Sequence, residues 1–486
     1  MLSMSHQGNA RKHEVLCLRA HSLNFKDNKE DLMKLSRFVH TIPVDKDMVA
    51  LYHSLNIKVI FVSRELINQI EGLNKLDAYS DKLYSAGMVV KSEDEDKNLL
   101  DKTIKSLMSL PSPVSVMYLL LTDACNLACD YCFIENQIPE EQSRIFMSTE
   151  TAKKSIDFFA EAIKRHPDYF EKKKTIIFYG GEPLMNKKVF MEAIKYIAHL
   201  KEKGSLPKSL SINMVSNGLF FTSELADFIR EKKVNVSISI DGEKIATNLH
   251  RRDFYGEPIF DRVMKKIKLL KSKDIPVGIS CTINEETIKN QKSTIEFLIN
   301  EIGVKGLGFN ILARGHSIKL REDYETRAAE FIINAYKIFR EKGIYEDRIM
   351  RKINSFSKQK IHPYDCAAGG GRQLVVAPDG QVGICHGYIG SRKHFVGTVF
   401  DNELIVEDTP TYKEWKKRSP ITMEKCQSCV ALGTCGGGCP CDAEISKGSI
   451  WELDERFCVH AKMTIDWIIR DLWLCIKAKA QKPVLV

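Results

Sequence analysis

Two groups of cysteines carry the chemistry this sequence offers. One is a triplet in LTDACNLACDYCF, where Cys125, Cys129 and Cys132 are spaced C-x3-C-x2-C. The other lies in CQSCVALGTCGGGCP, where Cys426, Cys429, Cys435 and Cys439 are spaced C-x2-C-x5-C-x3-C. Cys366 and Cys385 precede the second group, with Gly380 five positions before Cys385, and Cys458 follows it. Thiolates grouped in this way ligate soft metals and iron–sulfur clusters. A [4Fe–4S] cluster normally takes four Cys, so a triplet leaves one iron open to a substrate or cofactor. The plainer readings are a zinc knuckle short of a ligand for the triplet and a zinc ribbon for Cys426–Cys439. The strand-end position of the triplet counts against the first, and the Cys366–Cys385 pair against the second. The remaining Cys17, Cys281 and Cys475 read as ordinary thiols, and Cys441 is left unassigned.

These groups need a frame. From about 113 to 315, short apolar segments alternate with amphipathic helical ones. The expected strands are SVMYLLLT, KTIIFYG, SLSINMVSN, VNVSISID, PVGISCTI and GLGFNIL; the helices between them include VFMEAIKYIAHLK, ELADFIREKK and FDRVMKKIKLLK. Six βα units in series imply a parallel sheet that curls into a full or partial barrel, with chemistry at the C-terminal ends of its strands. A doubly wound open sheet is the alternative that periodicity leaves standing. Before this region, RFVHTIPV, MVALYHSL and KVIFVS read as strands and RELINQIEGL and DAYSDKLYSAG as helices, the last closed by Gly87. KSEDEDKN then reads as an acidic, solvated turn, residues 1–32 as a polar peripheral segment, and 322–345 as one long helix.

The triplet followed by Phe133 resembles the signature of radical SAM enzymes. In that family the open iron chelates the amino and carboxylate groups of S-adenosylmethionine, and reduction yields a 5′-deoxyadenosyl radical that abstracts a hydrogen atom. Later strand ends fit the resemblance in order. Gly180, Gly181 and Glu182 in YGGEPL resemble the motif that binds the methionyl amine, the glycines admitting a close ligand and Glu182 accepting from the ammonium. Ser216 and Asn217 end the third strand. Ser239 and Asp241 end the fourth and would reach hydroxyls or the methionyl carboxylate. Arg251 or Arg252, with Arg252 preferred, would pair with that carboxylate, and GFNIL would lie against the adenine. The likeness spans about 200 residues.

The seven-Cys tail resembles the SPASM domain of radical SAM enzymes that modify peptides and proteins. That resemblance implies two auxiliary [4Fe–4S] clusters, three clusters in all. Cys426, Cys429, Cys435 and Cys458 would hold one completely. Cys366, Cys385 and Cys439 would hold the other, with Cys441, a distant residue or an open iron in the fourth place. The expected fold class is therefore α/β: a partial (β/α)6 TIM-like barrel with a small winged-helix-like N-terminal module and a C-terminal iron–sulfur domain. The expected divisions are 1–32, 33–108, 113–320 for the barrel, 321–362 as a helical linker and 363–486 for the SPASM region.

Apolar residues make up 44% of the 486-residue chain and charged residues 28%, as in ordinary globular proteins. A net charge of +9 is spread along the chain without a polybasic block, so no nucleic-acid partner is expected. No apolar run approaches the ~20 residues that span a bilayer, and the first residues lack a secretory h-region. A cytoplasmic protein without a membrane partner is expected, and its fourteen Cys point to metal rather than disulfides. The 33–108 module resembles leader-recognition elements of enzymes that modify ribosomally made peptides, which add an extended leader to a sheet edge. The expected function is a peptide maturase that takes a leader-bearing precursor, uses a reductant such as flavodoxin or ferredoxin, and installs a crosslink, with a Cys thioether preferred over a carbon–carbon bond. An anaerobic sulfatase-maturing, formylglycine-forming enzyme is one alternative. An iron–sulfur electron-transfer or nucleic-acid-binding protein without radical chemistry is the other. A catalytic base is not readable.

Overall fold

The computed structural model describes residues 17–18, 33–70, 78–134, 138, 143–313 and 318–480. Six short strands open the chain: β1 (Cys17–Leu18), β2 (Lys34–Leu35), β3 (Val39–Pro43), β4 (Met48–His53), β5 (Lys58–Ser63) and β6 (Val89–Val90). Four of them make a sheet in the order β1-β5-β4-β3, antiparallel except where β1 runs parallel to β5. β2 and β6 pair separately and antiparallel. The strands and helices expected from 37 to 87 are present, helices Arg64–Ile70 and Ala78–Ser85 among them. Of the segment expected to be peripheral, Cys17 and Leu18 instead extend this sheet; the rest of 1–32 lies outside the described residues.

Every residue of β4 is buried because the sheet is covered on both faces. Val49 and Leu51 point to the module's own helices, where Leu66, Leu83 and Met88 meet them. Ala50 and Tyr52, alternating as strand residues must, point the other way, onto Ala461, Ile465, Ile469 and Trp473 of the C-terminal helix Glu455–Ala480. That helix is a docked core helix, as its apolar face indicates.

KSEDEDKN is not a turn. It opens a helix, Glu93–Ser109, whose first turn carries Glu93, Asp94, Glu95 and Asp96. Four carboxylates at a helix N-terminus face the positive end of the macrodipole, which favours helix where composition suggests solvated loop. Asp96 is also buried, accepting from Ser36 Oγ at 2.6 Å and from the Arg37 backbone N–H at 2.8 Å.

The central sheet has ten strands. It comprises β7 (Val116–Leu120), β8 (Thr175–Tyr179), β9 (Ser211–Ser216), β10 (Asn235–Ser239), β11 (Val277–Ile283), β12 (Gly306–Ile311), β13 (Tyr345–Glu346), β14 (Gln373–Val376), β15 (Gln381–Gly383) and β16 (Phe395–Thr398). The order is β13-β12-β11-β10-β9-β8-β7-β14-β15-β16. β7 to β13 are parallel, β14 adds parallel to β7, and only β15 and β16 run antiparallel. All six expected strands are here. The long helix ends earlier than expected, at Glu341; Gly343 turns the chain at φ 67°, and Tyr345–Glu346 become β13.

Burial along the strands decides between barrel-like and doubly wound. A doubly wound parallel sheet is covered on both faces and its strands are buried throughout. Here Ile212, Met214, Val236 and Ile238 are buried, while Asn213, Ser237 and Ser239 between them stay half-open. Helices cover one face only. The other face is polar around β9 to β12, where Asn235 Nδ2 donates to Asn213 Oδ1 at 3.0 Å and Asn310 Nδ2 to Ser280 Oγ at 2.9 Å. β7 and β13 do not pair, so the sheet stays open. The Cys-rich tail does not hang from a linker: β14 to β16 extend the same sheet. No described helix is long and apolar enough to cross a membrane.

Candidate iron–sulfur and cofactor site

The triplet loop leaves the C-terminal end of β7 and is held from two sides. On one side the turn after β8 folds against it: Gly181 N donates to Thr122 O and Glu182 N to Ala124 O, both at 2.9 Å. The two glycines make this approach possible. A Cβ on Gly180 would lie 2.2 Å from Thr122 O, and one on Gly181 would lie 2.1 Å from Ala124 O. The surface that Gly180 and Gly181 approach so closely is therefore the cysteine loop's own backbone, where a ligand was expected. On the other side, Ala128 N donates to Arg252 O at 2.9 Å and Asp130 N to His250 O at 3.2 Å.

Glu182 is buried, and its carboxylate is used internally. Oε1 accepts from Leu184 N at 3.1 Å and Ser216 Oγ at 2.9 Å, and Oε2 accepts from Asn217 N at 2.8 Å. Burial pushes its carboxyl up to about 7 despite these three donors. Ser216 and Asn217 thus sit where the strand ends put them, but they brace Glu182 and the loop. Asn217 Nδ2 donates to Asn126 Oδ1 at 2.7 Å and lies 3.8 Å from Cys125 Sγ.

Asp241 is likewise buried and satisfied. It pairs with Arg251 Nε at 2.9 Å, accepts from Thr282 N at 3.0 Å, and takes a bond from the Tyr131 hydroxyl. Arg251, not the preferred Arg252, is the buried cation beside the triplet, its guanidinium 5.3 Å from the Tyr131 ring centre. Arg252 is exposed, with Nε on Asn248 O at 3.1 Å. Ser239 is left half-open at the end of β10 on the uncovered face. Tyr131, inside the Cys motif, was not singled out from sequence; nothing but its place between two metal-type Cys could have flagged it.

The thiols fit a cationic group. Burial pushes Cys125 up to about 12 and Cys129 to about 11, so alone they would stay protonated; a bound metal removes those protons. Phe133 and Tyr179 pack in one cluster with Cys132, their ring centres 6.5 Å apart, and His386 of the tail sits 5.6 Å from Phe133.

The tail gathers its Cys into two places. Cys426, Cys435 and Cys458 lie within mutual electrostatic reach together with Cys429, beside buried Lys352 and under the Tyr52 face of the N-terminal sheet. Cys366, Cys385 and Cys439 form the second place, with Cys441 against Cys385. Between the two lies Arg418, 1% exposed. Its donors go only to carbonyls: Gly437 O at 2.8 Å, Glu452 O at 3.0 Å, and Ile450 O. Burial disfavours its charge, and the ionisable groups that would offset this are Cys439, Cys366, Cys426 and Asp454. A buried guanidinium without a carboxylate partner is costly unless anions flank it. Iron–sulfur clusters ligated by thiolates at both places would supply that charge. Sequence reasoning missed Arg418, which has no motif around it.

Residues 119–298 match the family model of the Radical SAM superfamily. The chain carries a radical SAM domain. Such a domain works with a [4Fe–4S] cluster and S-adenosylmethionine, and the chain is an enzyme, as relatives such as TigE and the sulfatase-maturating enzymes are. The chain is 22% identical over 476 residues to the radical SAM cyclopropyl synthase TigE of Paramaledivibacter caminithermalis, covering 91% of this chain and 96% of that one. It is 25% identical over 341 residues to a cysteine-type anaerobic sulfatase-maturating enzyme of Clostridium perfringens, covering 67% and 89%. Among solved structures, anSMEcpe with bound AdoMet matches with TM-score 0.60 at 20% identity, over 73% of this chain and 99% of that one. SuiB of Streptococcus suis bound to precursor peptide SuiA matches with TM-score 0.53 at 14% identity, over 88% and 99%. The fold around the radical SAM domain is thus a radical SAM α/β fold with a mostly parallel central sheet.

Proposed function

We propose that this enzyme is a peptide maturase that abstracts hydrogen from a ribosomally made precursor and closes a bond within it, a Cys thioether in the first instance. The observation that carries the reading is the N-terminal sheet with its open edge. β5's edge is taken by Cys17–Leu18, whereas among the described residues no strand pairs with the outer edge of β3. An extended leader added there would gain main-chain hydrogen bonds. The match to SuiB bound to a precursor peptide, which covers 88% of this chain, supports a substrate of this class; the match to TigE, a radical SAM cyclopropyl synthase, covers 91%.

In this reading Cys125, Cys129 and Cys132 hold the cluster whose reduction with S-adenosylmethionine supplies the 5′-deoxyadenosyl radical. Gly180 and Gly181 set the loop's position. Glu182, Ser216 and Asn217 lock it, and Asp241 holds Arg251 beside it. Ser239, with Asn213, Ser237 and Ser280, offers polar contacts on the uncovered face. Cys426, Cys429, Cys435 and Cys458 hold one auxiliary cluster; Cys366, Cys385 and Cys439 contribute to the other. A flavodoxin or ferredoxin would deliver the electron.

The test is mass spectrometry on reconstituted, reduced enzyme with S-adenosylmethionine and a short Cys-rich precursor peptide encoded beside its gene. Loss of two hydrogens per site with thiols no longer alkylatable supports the thioether. Loss of two hydrogens with every thiol still alkylatable supports a carbon–carbon bond instead. An unmodified peptide alongside 5′-deoxyadenosine contradicts the peptide reading. A second reading, sulfatase maturation, is favoured by the higher TM-scores of the anSMEcpe structures, 0.60 to 0.62 against 0.53 to 0.54 for SuiB. A sulfatase-derived Cys or Ser peptide converted to formylglycine would establish it.

A further inference from the structure

Cys366, Cys385 and Cys439 leave a four-iron cluster one protein ligand short. We infer that Cys441 is the fourth ligand of this cluster, which therefore has no open iron. The inference rests on the reading of the tail as a cluster-bearing region.

Cys441 is 4% exposed and sits in the first turn of the helix Pro440–Lys447. Cys439 caps the same helix, its sulfur accepting from Asp442 N at 3.5 Å. The two thiols therefore leave one helix end on either side of Pro440. Cys441 meets Cys385 across Gly387: a Cβ built on Gly387 would lie 2.5 Å from Cys441 Sγ and 3.4 Å from Cys385 Sγ. The space a side chain at Gly387 would fill is the space where these two sulfurs converge.

The two competing carboxylates are otherwise engaged. Asp442 and Asp454 have ligand atoms within 4.8 Å of Cys439 Sγ. Arg456 holds both, with Nη2 2.8 Å and Nε 2.9 Å from the Asp454 carboxylate and Nη2 also on Asp442. His386 follows Cys385 and its buried Nδ1 has no partner among the described residues, which makes it the rival donor; its ring is stacked on Tyr118 at 4.3 Å and lies 5.2 Å from Tyr179. A closed cluster cannot anchor a substrate thiolate, so this one is left to carry electrons.

The experiment uses the full chain with Cys125, Cys129 and Cys132 all changed to Ala, so that only tail iron remains. Reduced samples are exposed to isotopically labelled cyanide, which binds open irons, and read by pulsed EPR. With Cys441 intact, no cyanide coupling is expected; with Cys441→Ala added, one cluster gains it at unchanged iron content. His386→Ala in place of Cys441→Ala is expected to gain none. Coupling with Cys441 intact overturns the assignment, as does its absence in an iron-replete Cys441→Ala sample. If Cys441→Ala sheds iron, Cys441→Ser serves: a serine oxygen would keep the cluster with a shifted EPR spectrum, and an unshifted spectrum overturns the ligand. A triple variant that binds no iron at all overturns the reading of the tail itself, and the inference with it.

Discussion

Glu182 Oε2 accepts the backbone N–H of Asn217 at 2.8 Å, tying the turn after β8 to the end of β9 beside the Cys125 thiol. A carboxylate with three protein donors and no exposure acts as a brace. Its raised pKa, about 7 against an ordinary 4.5, makes it a cost to folding when ionised. Between those values the folded chain keeps a proton that the unfolded chain has released. Stability therefore falls as pH rises from about 4.5 to about 7, by on the order of 3 kcal/mol. Buried His53, His362 and His386, held down to about 4, pull the other way by staying neutral in the fold. The difference between wild type and Glu182→Gln isolates the carboxylate. Anaerobic thermal unfolding at pH 5 and pH 7.5 should show the wild type losing stability relative to Glu182→Gln across that window. A constant difference would contradict the brace.

Gly181→Ala should displace the triplet loop. Its Cβ would meet Ala124 O at 2.1 Å and Asp123 O at 2.8 Å, and backbone cannot yield as a side-chain end can. Loss of the first cluster's iron is expected while tail iron remains, with a stability cost of about 3 kcal/mol or more. Iron analysis against the Cys125, Cys129, Cys132 triple-Ala variant checks it; a full iron complement would show the contact relaxes.

Arg418→Met should strip the tail clusters. It leaves the carbonyls of Gly437, Ile450 and Glu452 without their buried donor, at about 1–3 kcal/mol each, and removes the cation between the two cysteine places. Tail iron should fall while the triplet's cluster persists. Unchanged tail iron would mean the clusters are held without that charge.

The N-terminal sheet leans on Trp473. The indole packs tilted against Phe61, ring centres 5.0 Å apart, and donates to Asp45 Oδ2 at 2.9 Å. Trp473→Ala should cost about 3–5 kcal/mol and loosen the module. Limited proteolysis should then cut within 33–109 well before the barrel. Equal rates at both would place the module's anchorage elsewhere. Deleting the module outright is a poorer test of leader binding, because Tyr52 and Gly433 pack it against the place where Cys429 and Cys435 gather.

The strands of the central sheet were legible because each is a short apolar run bounded by a helix of clear period. Whether the sheet was covered once or twice was not, since that depends on which half of each alternation meets helices. The grouping of the cysteines was legible, because thiols separated by two to five residues in one loop must lie near one another. The protein partners of the strand-end residues were not: that Glu182 accepts from Asn217 N and Asp241 pairs with Arg251 depends on how separate strand ends meet. The acidic run at 93–96 misled because composition reads charge as solvent exposure, whereas a helix N-terminus gives four carboxylates a place.

The most direct measurement of the central claim follows the abstracted hydrogen. Reduced enzyme would be given S-adenosylmethionine and a fully deuterated precursor peptide, and the 5′-deoxyadenosine formed would be weighed. Deuterium is expected in that product, formed with the peptide and lost with the Cys125, Cys129, Cys132 triple variant. Unlabelled 5′-deoxyadenosine, produced at the same rate with and without peptide, would contradict it.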